Sequence, residues 1–194
     1  CYLDALAGAY EAWRKVSSSD EPIARRCYHV PYGKMAKKAH RHVMSLEGKS
    51  EAEADTSYLE EVGASLRLPG QIGNVYTGSL YLALASLLEA EASRIEGKRV
   101  ALFSYGSGCT AEFFAGRVVA GAGAFTDALQ LGAPLEGRRR YTITEYEAIR
   151  HSDADADRRP FIGWHRQRSG CRSLSEIAGS AHRRRAVDLV RHGP

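Results

Sequence analysis

Residues 79–92, SLYLALASLLEAEA, restrict the fold more than any other part of the chain, because they are apolar on nearly every side up to Leu88. A helix that is hydrophobic all round has to be buried all round. In a chain of 194 residues, such a helix fits the middle layer of a layered α/β protein. The segment therefore predicts an α/β fold in which this helix is covered on all sides.

The segment after this helix has the pattern of two adjacent strands. Residues 100–103, VALF, form a short apolar run bounded by turn signals, and AEFFAGRVVAG (111–121) resembles a second strand. Gly106 and Gly108 lie between them and allow a tight backbone turn. These features predict a hairpin whose turn lies at the edge of a sheet, where chemistry often takes place.

The rest of the chain has weaker local signals. Pro31 keeps the residue before it extended and suits a helix start, so the residues around His29 are predicted to be extended. Further elements are predicted as helices at 2–16, 33–46, 52–66, 142–150 (capped by Thr144) and 173–188, with loops at 68–74 and 153–160.

Composition and charge exclude some classes of protein. No apolar run approaches the roughly 18 residues of a membrane span, and no signal-peptide pattern is found, so we expect a cytoplasmic protein without a membrane partner. Residues 138–194 carry 13 Lys and Arg against 7 Asp and Glu. This basic segment lacks the aromatic interleaving of a nucleic-acid module, and a docking face for an acidic protein is an alternative to a solvated surface.

The four cysteines, Cys1, Cys27, Cys109 and Cys171, are scattered and form no CxxC pair. This spacing argues against a zinc site and favours free thiols in a reducing compartment, so no metal is expected. Cys109 is predicted to be a small buried side chain rather than a nucleophile. The start at Cys1 instead of Met is typical of a fragment or a processed chain.

His29 and the helix that follows it form one candidate site. Most histidines are satisfied by local hydrogen bonds, but this one lies in a proline-containing loop before a cationic helix. Lys34, Lys38 and Arg41 are spaced so that they share one face of that helix. Such a face is usually just solvated, but beside a helix N-terminus it could hold phosphate groups.

Two loops supply further candidates. In GNVYTGS (73–79), the amide of Asn74 could donate to a developing oxyanion, whereas Ser79 is predicted to be a helix cap. In FSYGSG (103–108), Ser107 could present a hydroxyl to a substrate. That segment matches neither a GxSxG nucleophile elbow nor a phosphate-binding GxxxxGK[ST] loop.

The order of three motifs is more specific than any one of them. YHVPYGKMAKKAH (28–40), GNVYTGSLYLALASLL (73–88) and VALFSYGSGCTAEFF (100–114) resemble the C-terminal half of the 3-hydroxy-3-methylglutaryl-CoA (HMG-CoA) synthase family. The resemblance begins at YLDAL (2–6) and extends to about residue 150, and less firmly to the end of the chain. It implies the C-terminal half of a thiolase-like αβαβα fold, with residues 1–194 as one such half.

The resemblance also implies roles for individual residues. His29 matches the histidine that binds and polarises the β-keto thioester acceptor, Asn74 an asparagine near the thioester carbonyl, and Ser107 the serine of the glycine-rich loop. Lys34 and Lys38 match lysines that contact coenzyme A. Tyr76 and Gly106 complete the expected substrate-binding set. No cofactor is implied, since the substrates themselves are carried on coenzyme A or phosphopantetheine.

The nucleophilic cysteine and the catalytic glutamate of the family lie in the N-terminal half, which these 194 residues lack. The implied partners are that N-terminal half, an acyl-CoA or an acyl carrier protein, and a second copy in a homodimer. KAHR (38–41), GSGCTAEFFAG (106–116) and FIGWHRQRSGCRSLSEIAGSAHRR (161–184) look like the polyketide β-branching enzymes. Lys34 and YTGSLYLALASLL (76–88) look like the mevalonate-pathway enzymes.

Two alternatives come from other classes of protein. The chain could be a non-catalytic thiolase-like scaffold subunit, in which His29 has no role in the reaction. It could also be a nucleic-acid-binding module, for which we expect weak, salt-dependent and non-specific DNA binding.

We predict that the isolated 194-residue chain forms no acetyl-enzyme, because the cysteine that would carry the acetyl group is absent. The measurement is transfer of radiolabelled acetyl from acetyl-CoA or an acetyl carrier protein to the purified chain. Robust labelling of the chain would contradict the prediction.

Overall fold

The computed structural model describes residues 1–106 and 108–155, and the chain divides into two units, Cys1–Arg139 and Arg140–Pro194. The first unit contains helices α1 (Tyr2–Val16), α2 (Gly33–Leu46), α3 (Glu51–Glu61), α4 (Arg67–Ile72), α5 (Gly78–Ile95), α6 (Ala122–Leu129) and α7 (Ala133–Glu136) and strands β1 (Ile23–Tyr28), β2 (Arg99–Tyr105) and β3 (Ala111–Arg117). In the second unit, helix α8 spans Ile143–Asp155. None of the helices in these described stretches is long and apolar enough to cross a membrane.

The three strands form one sheet in the order β1-β2-β3. Strand β1 runs parallel to β2, and β2 pairs antiparallel with β3 over its whole length, from Arg99 opposite Arg117 to Tyr105 opposite Ala111. The predicted hairpin is therefore confirmed. Since parallel strands need a long crossover, the four helices α2–α5 lie between β1 and β2 in the chain.

Side chains alternate between the two faces of the sheet, and each face has its own core. On one face, Tyr28, Ala101 and Phe103 pack with Leu6 and Tyr10 of α1 and with three residues of α2, Ala36, Ala39 and Val43. On the other face, Cys27, Val100 and Leu102 pack with four residues of α5, Leu80, Ala83, Leu87 and Ile95. The result is a helix–sheet–helix arrangement, which confirms the predicted α/β class.

Helix α5 is not buried on every side by the described residues, contrary to the expectation from its sequence. Leu80, Ala83 and Leu87 are buried, but Tyr81 is 64% exposed. Leu82 and Leu84 are half-buried. The sheet covers one side of the helix, and Tyr81 on another side stays largely exposed among the described residues.

Several local predictions are confirmed. Helix α1 covers residues 2–16, α2 covers 33–46, and the residues up to His29 are extended. The segment predicted as one helix at 52–66 is instead α3 followed by a 3-10 turn at Gly63–Leu66. Helix α3 begins with a capping box, in which Ser50 and Glu53 each bond the other's backbone N–H.

Three other local predictions need correction. Residues 68–74 are not a loop, because α4 occupies most of them and ends at Gly73, which takes a φ of 87° that favours glycine. The cap of α8 is Thr142 instead of Thr144, since the Thr142 hydroxyl accepts from the N–H of Glu145 at 3.2 Å. Ser79 does not cap α5, which begins at Gly78; its Oγ accepts from the N–H of Val75 at 3.4 Å.

The predicted loop at 153–160 is also corrected in part, because its first three residues belong to α8. Its remainder and the predicted helix at 173–188 lie outside the described residues.

Strand β1 carries two consecutive buried arginines that point to opposite faces of the sheet. Arg25 donates from Nε to Glu91 of α5 at 2.7 Å. Arg26, whose side chain is 6% exposed, donates from Nη2 to Glu47 at 2.8 Å and also pairs with Glu61. Because a buried charge is costly without a partner, these ion pairs tie β1 to the ends of α2, α3 and α5.

His40 of α2 is a second polar group in the core, and its side chain is fully buried. Its Nε2 lies 2.9 Å from the hydroxyl of Ser57, which itself donates to the carbonyl of Ala54 at 3.3 Å. This places the proton of the neutral ring on Nε2 and leaves Nδ1 to accept from the Tyr28 hydroxyl at 3.4 Å. Burial, with a smaller effect from the positive charge of Arg26, lowers the pKa of His40 to about 4.

We predict that Arg26→Ala lowers the free energy of unfolding by about 3 kcal/mol, because it leaves two partly buried carboxylates without their cation. The matched control is Lys49→Ala, which removes the same charge from an exposed pair with Glu53 at 3.4 Å and should cost less than about 0.5 kcal/mol. Urea unfolding of the three proteins measures both values. An equal loss of unfolding free energy in the two variants would show that the buried ion pairs of Arg26 contribute no more to stability than an exposed pair.

We predict that His40 makes the fold sensitive to acid. The pKa of His40 is about 4 in the folded chain against an ordinary 6.5, so the unfolded chain takes up the proton first as the pH falls. Stability from this group is complete above about pH 6.5 and declines towards pH 4, by about 3 kcal/mol in all. Urea unfolding across this range should show a shallower decline for His40→Gln than for the wild type. Parallel curves would contradict the prediction.

Candidate functional site

The candidate residues meet at the edge where β1 and β2 end. Because the two strands are parallel, their carboxyl ends lie side by side, and His29 follows one while Gly106 follows the other. The backbone N–H of His29 extends the pairing by donating to the carbonyl of Phe103 at 2.8 Å. Residues that are 77 positions apart in the chain are thereby brought to one place.

The loop before α5 reaches the same edge. Helix α5 leads directly into β2, so its N-terminus lies towards the carboxyl end of that strand. A Cβ placed on Gly106 would lie 3.9 Å from Cγ2 of Thr77, and 3.8 Å from the carbonyl oxygen of Thr110. The structure therefore brings the 73–79 loop and the glycine-rich turn into contact.

His29 is buried, with 6% of its surface exposed. Two tyrosine rings surround it, Tyr2 with a ring-centre distance of 6.4 Å and Tyr105 at 5.9 Å. Its Nδ1 is buried and has no hydrogen-bond partner among the residues that the structure describes. Burial lowers the pKa of His29, so that the imidazole is held in its neutral form.

Tyr2 fixes the backbone of this histidine. Its hydroxyl donates to the carbonyl of His29 at 2.8 Å, and its ring packs edge-on against Phe103 at 5.4 Å. Burial raises the pKa of Tyr2, so its hydroxyl keeps the proton that makes this bond. Sequence reasoning assigned no role to Tyr2 or Tyr105; the aromatic residue directly before Gly106 was the signal that could have drawn attention to Tyr105.

Asn74 and Tyr76 form a local turn on the exposed side of this edge. The Asn74 Oδ1 accepts from the N–H of Tyr76 at 2.8 Å. This bond orients the side chain and leaves its amide nitrogen as a donor for another molecule. Tyr76 is 77% exposed and takes a φ of 52°, an unusual conformation for a bulky residue.

The glycine-rich turn is held by its own backbone. The N–H of Gly106 donates to the carbonyl of Thr110 at 2.8 Å, which closes the turn between β2 and β3. Ser107, the other predicted site residue of this turn, lies outside the described residues.

The four cations of α2 separate into two pairs. Lys37 lies 3.2 Å from Asp55, and Arg41 donates from Nε to the same carboxylate at 2.7 Å and also pairs with Glu51. The expectation that Arg41 joins a phosphate-binding face is therefore wrong, because α3 supplies acids that neutralise it. Lys34 and Lys38 are exposed and have no acidic partner in the part of the chain that the structure describes.

The prediction that Cys109 is buried is wrong, because its side chain is exposed. Its Sγ lies 3.1 Å from Sγ of Cys1, and the hydroxyl of Tyr105 lies 3.2 Å from Cys1 Sγ and 3.8 Å from Cys109 Sγ. The buried cysteine is Cys27, whose burial raises the pKa of its thiol. The described residues contain no cluster of three or more His, Cys, Asp or Glu side chains that could hold a metal.

Comparison with protein families gives one match that covers most of the chain. Residues 40–162 match the family model for the hydroxymethylglutaryl-coenzyme A synthase C-terminal region. That range includes Asn74, Tyr76 and the glycine-rich turn, whereas His29, Lys34 and Lys38 precede it.

The individual relatives include both CoA-type synthases and a polyketide-type synthase. A hydroxymethylglutaryl-CoA synthase of Enterococcus faecalis is 38% identical over 160 residues, which cover 80% of this chain and 40% of the relative. The Bacillus subtilis polyketide biosynthesis 3-hydroxy-3-methylglutaryl-ACP synthase PksG is 32% identical over 153 residues, 76% of this chain and 36% of the relative.

Solved structures include the same two types. The structure of MvaS in complex with 3-hydroxy-3-methylglutaryl coenzyme A superimposes with a TM-score of 0.69 and 43% identity, over 77% of this chain and 42% of that one. The curacin biosynthetic pathway HMG synthase superimposes with a TM-score of 0.72 and 33% identity, over 79% of this chain and 39% of that one.

These matches cover the C-terminal part of larger proteins, and the chain spans about 40% of the length of the relatives named above. The neighbours are condensing enzymes with the thiolase-like fold, which confirms the predicted fold. On the family match, the sequence identities and the superpositions together, the chain belongs to the HMG-CoA synthase family and represents its C-terminal part.

Proposed function

We propose that this chain is the C-terminal half of an enzyme that condenses an acetyl thioester with a β-ketoacyl thioester. The observation that carries the proposal is the imidazole of His29, which is held at the carboxyl edge of the sheet beside the rings of Tyr2 and Tyr105. Its Nδ1 is covered by the surrounding protein and has no hydrogen-bond partner among the described residues. A fixed, neutral imidazole at this edge can donate from one ring nitrogen to the ketone oxygen of the acceptor.

In this proposal, His29 acts on the oxygen on which charge develops. As a carbanion equivalent attacks the ketone carbon, its oxygen becomes an alkoxide, and a donor at a fixed position stabilises that charge. The lowered pKa of His29 favours a neutral ring, which donates from one nitrogen. Tyr2 and the Phe103 carbonyl hold the histidine backbone, so that the ring does not reorganise during the step.

The remaining candidates bind the substrate. The amide nitrogen of Asn74 can donate to the thioester carbonyl, and Gly106, Ser107 and Tyr76 belong to this loop and the glycine-rich turn. Lys34 and Lys38 have no acidic partner among the described residues, so their charge can act on the phosphate groups of coenzyme A or phosphopantetheine. The nucleophilic cysteine and the glutamate base belong to the N-terminal half, as the family resemblance implies, and a homodimer of the complete enzyme is the expected assembly.

For the carrier of the acyl groups, we propose an acyl carrier protein and therefore β-branching of a polyketide intermediate. The net charge of +6 over residues 138–194 suits an acidic carrier. The relatives include PksG, and a structure of the curacin HMG synthase is described in complex with a holo donor carrier protein. The second candidate is the CoA-linked reaction of the mevalonate type, which the 43% identity to MvaS favours.

The test uses the complete enzyme, this chain together with the half that carries the cysteine and the glutamate. We predict that His29→Ala lowers kcat for condensation by roughly 10²- to 10³-fold, because a fixed donor to the developing oxygen charge is lost. Acetylation of the nucleophile should be unchanged. Full condensation activity in His29→Ala would reject the proposed role and favour a scaffold subunit.

The lysines provide a matched comparison within the same experiment. Lys34→Ala and Lys38→Ala should each raise KM for the thioester about three- to fivefold at low salt, equivalent to about 1 kcal/mol. Lys37→Ala is the control, because it removes the same charge from the same helix but from a lysine held by Asp55. A rise in KM of the same size for Lys37→Ala would show that KM responds to the total charge of the helix, and would contradict specific binding by Lys34 and Lys38.

The carrier is settled by the rate at which the intact enzyme is acetylated. Faster acetylation from an acetyl carrier protein than from acetyl-CoA is expected for the β-branching enzyme. The reverse order would favour the mevalonate-type reaction.

A further inference from the structure

Two exposed thiols lie next to each other at the edge of the sheet that holds His29. Sγ of Cys1 and Sγ of Cys109 are 3.1 Å apart although the residues are separated by 108 positions. The contact joins the start of α1 to the turn between β2 and β3. Because both side chains are exposed, a small oxidant from solution can reach them.

Tyr105 keeps the two sulfurs together. Its hydroxyl lies 3.2 Å from Cys1 Sγ and 3.8 Å from Cys109 Sγ, so one group contacts both. The Cys109 backbone has a φ of 57°, a left-handed conformation that favours glycine over cysteine. A thiol at this position is thus presented by a constrained turn and faces the second thiol directly.

From this geometry, we infer that Cys1 and Cys109 are a reversible redox site that closes to an intramolecular disulfide. The oxidant is a low-molecular-weight disulfide such as glutathione disulfide. The thiolate of one cysteine attacks it, forming a mixed disulfide and releasing one glutathione thiol. The second cysteine then attacks the protein sulfur of the mixed disulfide and releases the second glutathione. Two protein thiols and one glutathione disulfide become one protein disulfide and two glutathione thiols.

The bond would fasten the two elements that flank His29. Tyr2, next to Cys1, donates to the His29 carbonyl at 2.8 Å. Tyr105, four residues before Cys109, packs against the His29 ring at a centre distance of 5.9 Å. Closing the disulfide therefore restricts α1 relative to the glycine-rich turn, and reduction releases that restriction.

The experiment treats the complete enzyme, this chain together with its N-terminal half, with glutathione disulfide and maps its disulfides by mass spectrometry after proteolysis without reduction. In the wild type, we expect a cross-linked peptide pair containing Cys1 and Cys109, with the loss of two hydrogens. In Cys1→Ser, the second step is impossible, so glutathione should stay attached to Cys109. Cys171→Ser is the control and should form the same bond as the wild type.

Thermal unfolding supplies a second measurement. A disulfide that closes a loop of this length should raise Tm by roughly 10 °C over the reduced chain. That difference should disappear in both Cys1→Ser and Cys109→Ser, and dithiothreitol should reverse it in the wild type.

Three results would overturn the inference. Stable glutathione adducts on the wild-type Cys1 and Cys109 would show that the second step does not take place. A bond from either residue to Cys171 would show a different pairing. A cross-link between Cys1 and Cys109 without any rise in Tm would show that the bond forms outside the native fold.

Discussion

The parallel pairing of β1 with β2 is the constraint on which the rest of this structure depends. Two parallel strands cannot be joined by a tight turn, so the chain has to return from the end of β1 to the end of the sheet at which β2 begins. Helices α2–α5 make that return, and they cover both faces of the sheet as they do so. The same pairing places the ends of both strands at one edge, where His29 and Gly106 meet.

The pairing in turn depends on how β1 is held. This strand lies at the edge of the three-stranded sheet of the described chain, and it carries Arg25 and Arg26 in buried positions. Their carboxylate partners come from helices on opposite faces, Glu91 of α5 for Arg25 and Glu47 at the end of α2 for Arg26. Replacing a whole buried ion pair with well-packed apolar residues is often neutral for stability, but separating the two charges is costly, so these pairs penalise any shift of the strand. They thereby fix the register that positions His29.

The sequence was sufficient for features that depend on neighbouring residues. The bounds of α1 and α2, the hairpin and the extended segment before His29 follow from periodicity, proline and glycine, and all agree with the structure. The errors concern features that depend on distant residues. The sequence around Arg41 gives no sign of its ion pair with Asp55, which lies on α3. The sequence around Cys109 likewise does not show that the turn leaves its side chain exposed. Helix α4 was missed because Pro69 and Gly70, which normally interrupt helices, lie inside a six-residue element held against α5.

The location of backbone strain supports the view that this edge of the sheet is used. Three non-glycine residues of the described chain have a positive φ, and two of them, Tyr76 at 52° and Cys109 at 57°, lie in the loops that meet at Gly106. The third, Gln130, ends helix α6, where a left-handed residue is common. Each such conformation costs on the order of 1 kcal/mol or more and persists because the surroundings enforce it. The Asn74 side chain does so for Tyr76 through its bond to the backbone N–H. Selection for stability alone would replace these residues with glycine, as at Gly73. A tyrosine and a cysteine at these positions are therefore better explained by what their side chains contact than by the fold they belong to.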